Sequence, residues 1–311
     1  MSVPAQPPIL VTGTHRSGTT WIGRILAADP RVGYIHEPFT LSCRRGVFPY
    51  RIPYWYYRVP PPAPEELVAS YEDLLRFHYA LGAELRTIRS PRDFARMIRD
   101  AALFSTYRLQ KRRPLVKDPL ALLSADWVAR TFHSAVIVSI RHPLAFVSSL
   151  VRLHWRFDFA DLQDQPAAMD LLAAVGAEED VALGRTLGAN DAVVEAAYLW
   201  KVLHRAIARY REEHGDWTFV RYEDLARDPV AGFAAILPKV GLAFDDRVRK
   251  KLEFLSGESN PDDRSNDPRV TRVASAAHSA KSLTRLSAED RERVRRIVEP
   301  VSALFYSDAE W

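Results

Sequence analysis

The 311-residue sequence has only one cysteine, Cys43, and no long apolar run. A single cysteine excludes an intramolecular disulfide and any metal site built from several cysteines. No stretch reaches the roughly 20 apolar residues that a membrane-spanning helix needs. Residues 1–8 also lack the basic and apolar segments of a secretory signal. These absences predict a soluble, cytoplasmic protein.

The composition is that of a globular protein with a modest positive charge. Hydrophobic residues make up 47% of the chain and charged residues 26%, and the formal net charge is +4. The basic residues are scattered, which argues against a nucleic-acid-binding surface but suits a small polyanionic ligand. The frequent alanine and arginine are typical of a GC-rich bacterial gene.

Residues 9–23 carry the strongest signal in the chain. The apolar residues after Pro8 predict a buried strand, the stretch from Gly13 to Gly18 predicts a turn, and Thr19 opens a predicted helix. A strand, a glycine-rich loop and a helix together direct backbone N–H groups and a helix N-terminus at a phosphate.

The glycine spacing matches the P-loop, but Thr19 stands where a nucleoside triphosphatase has lysine. That lysine binds the β- and γ-phosphates, so its absence disfavours hydrolysis of ATP or GTP. The cation of this loop is Arg16, and hydroxyl residues follow it. We therefore expect the loop to bind a terminal anion without a metal.

The segment Arg-Ser-Gly-Thr-Thr, beginning at Arg16, resembles the 5′-phosphosulfate-binding loop of sulfotransferases that use 3′-phosphoadenosine-5′-phosphosulfate (PAPS). The resemblance implies an enzyme that transfers a sulfuryl group from PAPS to a hydroxyl acceptor and needs no metal. The residues that it assigns to donor binding in this loop are Thr14, His15, Arg16, Ser17, Gly18, Thr19 and Thr20.

A second predicted strand, residues 32–36, leads into His-Glu-Pro-Phe. Ligands bind at the carboxyl ends of strands in open α/β sheets. A similar segment follows the first helix in many carbohydrate and tyrosylprotein sulfotransferases, which implies that Glu37 is the general base. His36 is the rival base, since cytosolic small-molecule sulfotransferases use histidine. The alternative without catalysis is a solvated loop glutamate.

The third predicted strand, residues 114–117, ends in Lys117-Asp118-Pro119. This segment resembles the Lys-Asp-Pro of tyrosylprotein and related sulfotransferases, where the lysine faces the transferring sulfuryl group. The resemblance implies that Lys117, together with Arg16, stabilises the charge of the transition state. The alternative is a surface ion pair between Lys117 and Asp118.

Arg141 follows the fourth predicted strand, residues 135–140, and Ser149 lies eight positions further on, in the next helix. A guanidinium fork and a hydroxyl can converge on one phosphate. The pair resembles the 3′-phosphate site of the same family. The segment Arg-Tyr-Glu-Asp-Leu, which begins at the end of the fifth predicted strand, residues 217–222, is also similar to the family pattern. That similarity implies that Tyr222 contacts the nucleotide, with a core tyrosine as the alternative.

Three segments stand outside this pattern. Residues 48–64, rich in aromatics and proline, predict an irregular loop that is either an acceptor lid or a hydrophobic cluster. Residues 156–189 predict a helical insertion. The polar residues 256–282 predict a long loop, and the resemblance implies that it covers the nucleotide. Candidate contacts in this loop are Arg269, Arg272, Ser279 and Lys281.

The five predicted strands alternate with helices, including a long helix that Asn190 caps and that runs to Arg211. This order predicts one α/β domain over residues 1–311, with a mainly parallel sheet of about five strands flanked by helices and a P-loop-like nucleotide site.

Two other functions stay open. One is a magnesium-dependent P-loop kinase, and the other is a nucleotide-binding homologue without catalysis. Within the resemblance, Arg16 in place of lysine favours the carbohydrate, tyrosylprotein and bacterial branches. The expected acceptor is a carbohydrate or another small bacterial metabolite, although the aromatics of residues 48–57 suit a sugar, a phenol or a lipid-linked glycan.

Overall fold

The computed structural model describes residues 6–257 and 275–311. In these residues five strands form one parallel sheet in the order β2-β3-β1-β4-β5, which confirms the predicted fold class. The strands are β1 (Ile9–Gly13), β2 (Val32–His36), β3 (Arg113–Lys117), β4 (Ala135–Ile140) and β5 (Thr218–Arg221).

Helices surround this sheet and account for most of the remaining ordered structure. They are α1 (Thr19–Leu26), α2 (Glu65–Leu75), α3 (Leu81–Leu85), α4 (Pro91–Leu109), α5 (Ala125–Phe132), α6 (Pro143–Arg152), α7 (Ala160–Gln163), α8 (Pro166–Ala174), α9 (Glu178–Leu187), α10 (Ala192–Glu213), α11 (Tyr222–Arg227), α12 (Pro229–Ile236), α13 (Asp246–Ser256), α14 (Ser275–Leu283) and α15 (Ala288–Val298). Short 3-10 turns occur at Leu122–Ser124, Leu237–Val240, Ser302–Leu304 and Asp308–Glu310.

Both faces of the sheet are buried, because alternate side chains of each strand enter two separate cores. Leu10 packs into the larger core with α6 and α10, whereas Ile9 and Val11 pack into the smaller core with α1, α12 and α13. A parallel sheet covered on both faces explains why β1 and β4 are nearly continuous apolar runs instead of alternating ones. The burial also holds the loops at the carboxyl ends of the strands on a rigid base.

The long helix begins one residue later than the sequence predicts. Asp191, not Asn190, is its N-cap, because the Asp191 carboxylate accepts hydrogen bonds from the N–H groups of Val193 and Val194 at 3.0 and 3.1 Å. A carboxylate also interacts favourably with the positive end of the helix. The helix ends at Glu213, two residues beyond the predicted end.

The prediction of one loop over residues 256–282 is wrong for its described part. Residues 275–283 form α14, which packs against α6 and α11. The side chains of this helix that are described as buried are Ser279 and Ser282, so the sequence shows no clear apolar period there. Ser148 of α6 donates to the Ser282 carbonyl at 3.0 Å. Ser279 is buried and Lys281 exposed, whereas Arg269 and Arg272 lie outside the described residues.

The two other segments contain the kinds of structure that their sequences predict. Residues 48–64 have neither helix nor strand, and residues 156–189 contain α7, α8 and α9. No helix in the described part of the chain is long and apolar enough to cross a membrane.

Candidate active site

The loop between β1 and α1 fits against its neighbours at two glycines. Gly13 has φ +142°, and a Cβ there would lie 2.3 Å from the Ser139 carbonyl oxygen of β4. Gly18 has φ +91°, and a Cβ there would lie 2.4 Å from the Tyr222 ring. Only glycine tolerates both the backbone conformation and the close approach. The loop is therefore held tightly between the end of β4 and the start of α11.

The Ser17 side chain forms a hydrogen bond within the loop that stabilises its backbone conformation. Ser17 Oγ donates to the Thr14 carbonyl at 2.6 Å, and the Ser17 carbonyl accepts from Ser139 Oγ at 2.6 Å. The first N–H groups of α1, at Thr19 and Thr20, have no intrahelical acceptor by geometry. Thr14 Oγ1 is buried and has no partner among the described residues. These free donors fit an anion bound over the loop.

Arg16 joins the loop to the fourth strand and the helix after it. Its backbone is left-handed, with φ +66°. Its Nε donates to Ser149 Oγ at 3.0 Å, and its carbonyl accepts from Arg141 Nη1 at 2.7 Å. Its guanidinium also lies over the Trp155 ring, 5.5 Å from the centroid. The structure thus brings the predicted loop cation and the predicted Arg141/Ser149 pair together.

Arg141 is almost fully buried and is fixed from two directions. The indole N–H of Trp200 donates to its carbonyl at 2.8 Å, and its guanidinium lies 4.4 Å from the centroid of the Tyr222 ring. Tyr222 is itself buried in the smaller core, against Trp21. Tyr222 is therefore a core tyrosine that supports the loop, and a contact with a nucleotide stays a prediction.

On the other side of the loop, Glu37 and Lys117 form an ion pair. The strand register sets His36 of β2 opposite Lys117 of β3, and the Glu37 N–H donates to the Lys117 carbonyl at 2.9 Å. The Lys117 ammonium donates to Glu37 Oε1. The Lys117 side chain is 1% exposed and that of Glu37 is 28% exposed. One partner is therefore buried, while the other reaches solvent.

The alternative of a surface ion pair between Lys117 and Asp118 is wrong. Asp118 is fully buried, and its carboxylate accepts from the N–H groups of Phe39 at 2.6 Å and Leu120 at 2.9 Å. Asp118 therefore shapes the two loops that carry the ion pair. Burial, with the nearby Glu37 charge, raises its pKa to about 7.

Burial also affects Lys117. It lowers the pKa of the Lys117 ammonium, and the neighbouring Glu37 carboxylate opposes this effect. His36, the rival base, has a side chain that is 58% exposed, with Nε2 3.8 Å from the Glu37 carboxylate. Both candidate bases therefore lie at the same edge of the sheet, and only Glu37 is in direct contact with Lys117.

Sequence reasoning missed two aromatic residues that touch the loop. Tyr56, in the irregular segment, is fully buried and hydrogen-bonds to His15, while Trp155 lies beneath the Arg16 guanidinium. The aromatic content of residues 48–64 pointed to the first only as part of a group. No pattern around Trp155 indicates its position, because it depends on how the chain leaves α6.

Comparison with known proteins decides the family. Residues 7–246 match the family model described as "Sulfotransferase family". The chain belongs to the sulfotransferase family. This assignment confirms the resemblance drawn from the sequence and the expectation of an enzyme. No curated protein matches the sequence.

Several solved structures of sulfotransferases are similar along nearly the whole chain. The sulfotransferase domain of the Synechococcus olefin synthase shares 17% identity, with 98% of each chain covered and a TM-score of 0.46. The domain from the curacin biosynthetic pathway shares 16% identity, covering 98% of this chain and 99% of that one, with a TM-score of 0.47. Mouse sulfotransferase SULT7A1, solved in complex with 3′-phosphoadenosine-5′-phosphate (PAP), shares 13% identity. The match covers 99% of this chain and 90% of that one, with a TM-score of 0.38.

Proposed function

We propose that this sulfotransferase uses PAPS as its donor and transfers the sulfuryl group to the hydroxyl of a carbohydrate or another small metabolite. The observation that carries the donor assignment is the contact of Arg16 with both Ser149 and Arg141. The Arg141 guanidinium contacts the loop backbone at Arg16, and the Arg16 guanidinium contacts the Ser149 hydroxyl, beside a glycine loop with free N–H donors. Such a site suits a nucleotide that carries phosphate at both the 5′ and the 3′ position.

The loop and the segment that follows β4 recognise different parts of this donor. The β1–α1 loop, residues 14–20, binds the 5′-phosphosulfate through backbone N–H groups and the Thr14, Thr19 and Thr20 hydroxyls. Arg141 and Ser149 bind the 3′-phosphate, which separates PAPS from ATP-like nucleotides. Lysine is missing after Gly18, and the loop therefore lacks the usual contact with a γ-phosphate.

Glu37 and Lys117 carry the chemical step in this proposal. Glu37 takes the proton of the acceptor hydroxyl as the acceptor oxygen bonds to sulfur and the bond from sulfur to the 5′-phosphate oxygen breaks. Protonation neutralises Glu37, which releases the Lys117 ammonium from its ion pair. Lys117 and Arg16 then stabilise the charge that develops on the sulfuryl and leaving oxygens.

Calorimetric titration tests the donor assignment. We expect 3′-phosphoadenosine-5′-phosphate (PAP) to bind about 100-fold more tightly than AMP, because a phosphate held by charge-assisted hydrogen bonds contributes about 3 kcal/mol. Ser149→Ala should weaken PAP binding and leave AMP binding unchanged. Arg130→Ala, which removes an exposed arginine of α5, is the matched control. A preference for Mg-ATP over PAP would instead favour the kinase alternative.

The base assignment has a separate test. Glu37→Gln should retain PAP affinity and lose at least about 100-fold in kcat, the usual contribution of a general base. His36→Gln should keep most of the turnover. If the His36 variant loses turnover and the Glu37 variant does not, the histidine is the base.

A further inference from the structure

A pocket of about 300 Å³ opens beside the loop. Its walls come from the loop, from the irregular segment and from the chain that leaves α6. The residues that line it are His15, Trp55, Leu150, His154, Trp155, Arg156 and Phe157. Pockets of this size lie at the small end of the range for organic ligands. The pocket therefore holds one or two rings.

The contacts between Tyr56 and His15, the histidine at the base of this pocket, favour one tautomer of its imidazole. The His15 backbone N–H donates to the Tyr56 hydroxyl oxygen at 3.1 Å, and His15 Nδ1 lies 2.5 Å from the same oxygen. Tyr56 is fully buried, and among the described residues its hydroxyl proton has no other acceptor. If Tyr56 donates to Nδ1, every polar atom of this pair has a partner. The imidazole proton of His15 is then on Nε2.

His15 is also neutral. Burial, together with the adjacent Arg16 guanidinium, lowers the pKa of the imidazole to about 3. No described residue forms a hydrogen bond with its Nε2, and the residue is only 6% exposed and lines the pocket. A neutral imidazole with its proton on Nε2 is a hydrogen-bond donor there and not a base. An oxygen of a molecule bound in the pocket can serve as its acceptor.

Apart from His15 and the exposed His154, the lining is apolar or already engaged. The His15 ring meets Trp55 and Trp155 with centroid distances of 5.9 and 6.1 Å. Arg156 is the charged lining residue, and its guanidinium binds Glu195 at 2.7 Å and the Gly188 carbonyl at 2.8 Å. A sugar would bring several hydroxyls that need partners, whereas an apolar ring with one hydroxyl matches these walls.

Trp155 connects this pocket to the donor site, because the Arg16 guanidinium lies over its ring. We propose that the pocket is the acceptor site and that it takes an uncharged compound with an apolar ring and a hydroxyl, which the Nε2–H of His15 positions. This inference rests on the proposed sulfotransferase function. His15 acts here as a positioning and specificity-determining residue, separate from Glu37.

The experiment uses 2-naphthol as the probe and methyl glucoside as the polar comparison. The PAP-loaded protein is titrated with each compound by calorimetry, and PAPS-dependent transfer to each is then measured. We expect 2-naphthol to bind at least about tenfold more tightly than the glucoside. Trp55→Ala should weaken naphthol binding about tenfold or more without changing PAP affinity. Phe94→Ala, which removes an exposed aromatic of α4, is the control.

Two substitutions of the histidine test the donor role. His15→Gln keeps a side-chain N–H donor and should retain most of the naphthol affinity, whereas His15→Leu should lose about five- to tenfold, the effect of one hydrogen bond. His15→Leu should raise KM for naphthol more than it lowers kcat, whereas His15→Gln should change both only slightly. Tyr56→Phe removes the hydroxyl that favours one His15 tautomer, and its naphthol affinity should lie between those of the Gln and Leu variants.

Tighter binding of the glucoside, or equal naphthol affinities for the Gln and Leu variants, would overturn the inference. Failure of the proposed function gives a different result, namely wild-type protein that does not distinguish PAP from AMP. Naphthol binding to the protein without nucleotide is measured in parallel, so the pocket is tested in either case.

Discussion

Removal of the Glu37 charge should destabilise the fold more than removal of the Lys117 charge. The two side chains are in contact, but Lys117 is 1% exposed and Glu37 is 28% exposed. At ~3 Å and an effective dielectric constant of ~20, their attraction is about 5 kcal/mol, which offsets the desolvation of both groups. Loss of one partner from a buried pair typically costs about 3–5 kcal/mol, because the other charge stays buried alone.

This asymmetry leads to different expected costs for the two variants. Glu37→Gln leaves a buried ammonium and should lower the free energy of unfolding by about 3 kcal/mol at pH 7. Lys117→Met keeps an apolar chain of similar length, and Glu37 can turn its carboxylate to water, so about 1 kcal/mol is expected. The double variant should cost no more than Lys117→Met alone, since no unpaired charge remains.

The pH dependence has a definite sign. Burial already lowers the pKa of Lys117, and Glu37→Gln removes the carboxylate that opposes this effect. Between the lowered folded pKa and the ordinary value near 10.4, the unfolded chain binds one proton more than the folded chain. Stability therefore rises with pH, and the cost of Glu37→Gln shrinks by up to about 1.4 kcal/mol per pH unit.

Urea unfolding at pH 7 and pH 9 measures these differences, with the fluorescence of the seven tryptophans as the signal. A cost of Lys117→Met equal to that of Glu37→Gln, or a cost of Glu37→Gln that grows with pH, would contradict a buried, unpaired ammonium as the cause. A double variant as unstable as Glu37→Gln would also contradict it, because the buried charge would then not be the cause.

Three further predictions concern the loop and the core. Gly18→Ala should cost about 2 kcal/mol or more and abolish PAP binding, because its Cβ would lie 2.4 Å from the Tyr222 ring at a positive φ; thermal unfolding and calorimetry measure both. Ser149→Ala should lower stability by only about 1 kcal/mol through the lost bond from Arg16, checked by urea unfolding. Burial lowers the pKa of His204 to about 3, so the unfolded chain takes up a proton below pH 6.5 that the folded chain does not, and stability falls with decreasing pH. His204→Gln should reduce that slope by about 1.4 kcal/mol per pH unit in unfolding measured from pH 7 to pH 4.

The strands could be predicted closely because β1 and β4 are buried apolar runs and the shorter apolar stretches of the other three end at recognisable motifs. The predicted and observed bounds agree to within one residue at every strand. Helix α14 could not be predicted, since its packing uses serine hydroxyls such as that of Ser148 bonded to Ser282 in place of an apolar stripe. The shift from Asn190 to Asp191 reflects a choice between two good N-caps, which the sequence does not distinguish.

From the sequence, Arg16, Arg141 and Ser149 could be predicted to bind one nucleotide. Their contacts with one another could not be predicted. Their sequence positions indicate strand ends, but the bond from Arg16 to Ser149 depends on the left-handed backbone of Arg16. The ion-pair partner of Lys117 also could not be predicted from the sequence. Asp118 is adjacent in sequence, yet alternate residues of a strand face opposite sides, and the register of β2 brings Glu37 to the ammonium instead.

The strand order explains why the candidate site has two separate halves. β1 lies at the centre of the sheet, so its loop is bordered by the end of β3 on one side and the end of β4 on the other. The β3 side presents the Lys117–Glu37 pair, and the β4 side presents Arg141 with Ser149. The strand order reverses at β1, and in an open α/β sheet a crevice forms at such a point whatever side chains line it. In the proposed mechanism, the charges for the chemical step and the charges for donor recognition can therefore change independently, with Arg16 of the central loop between them.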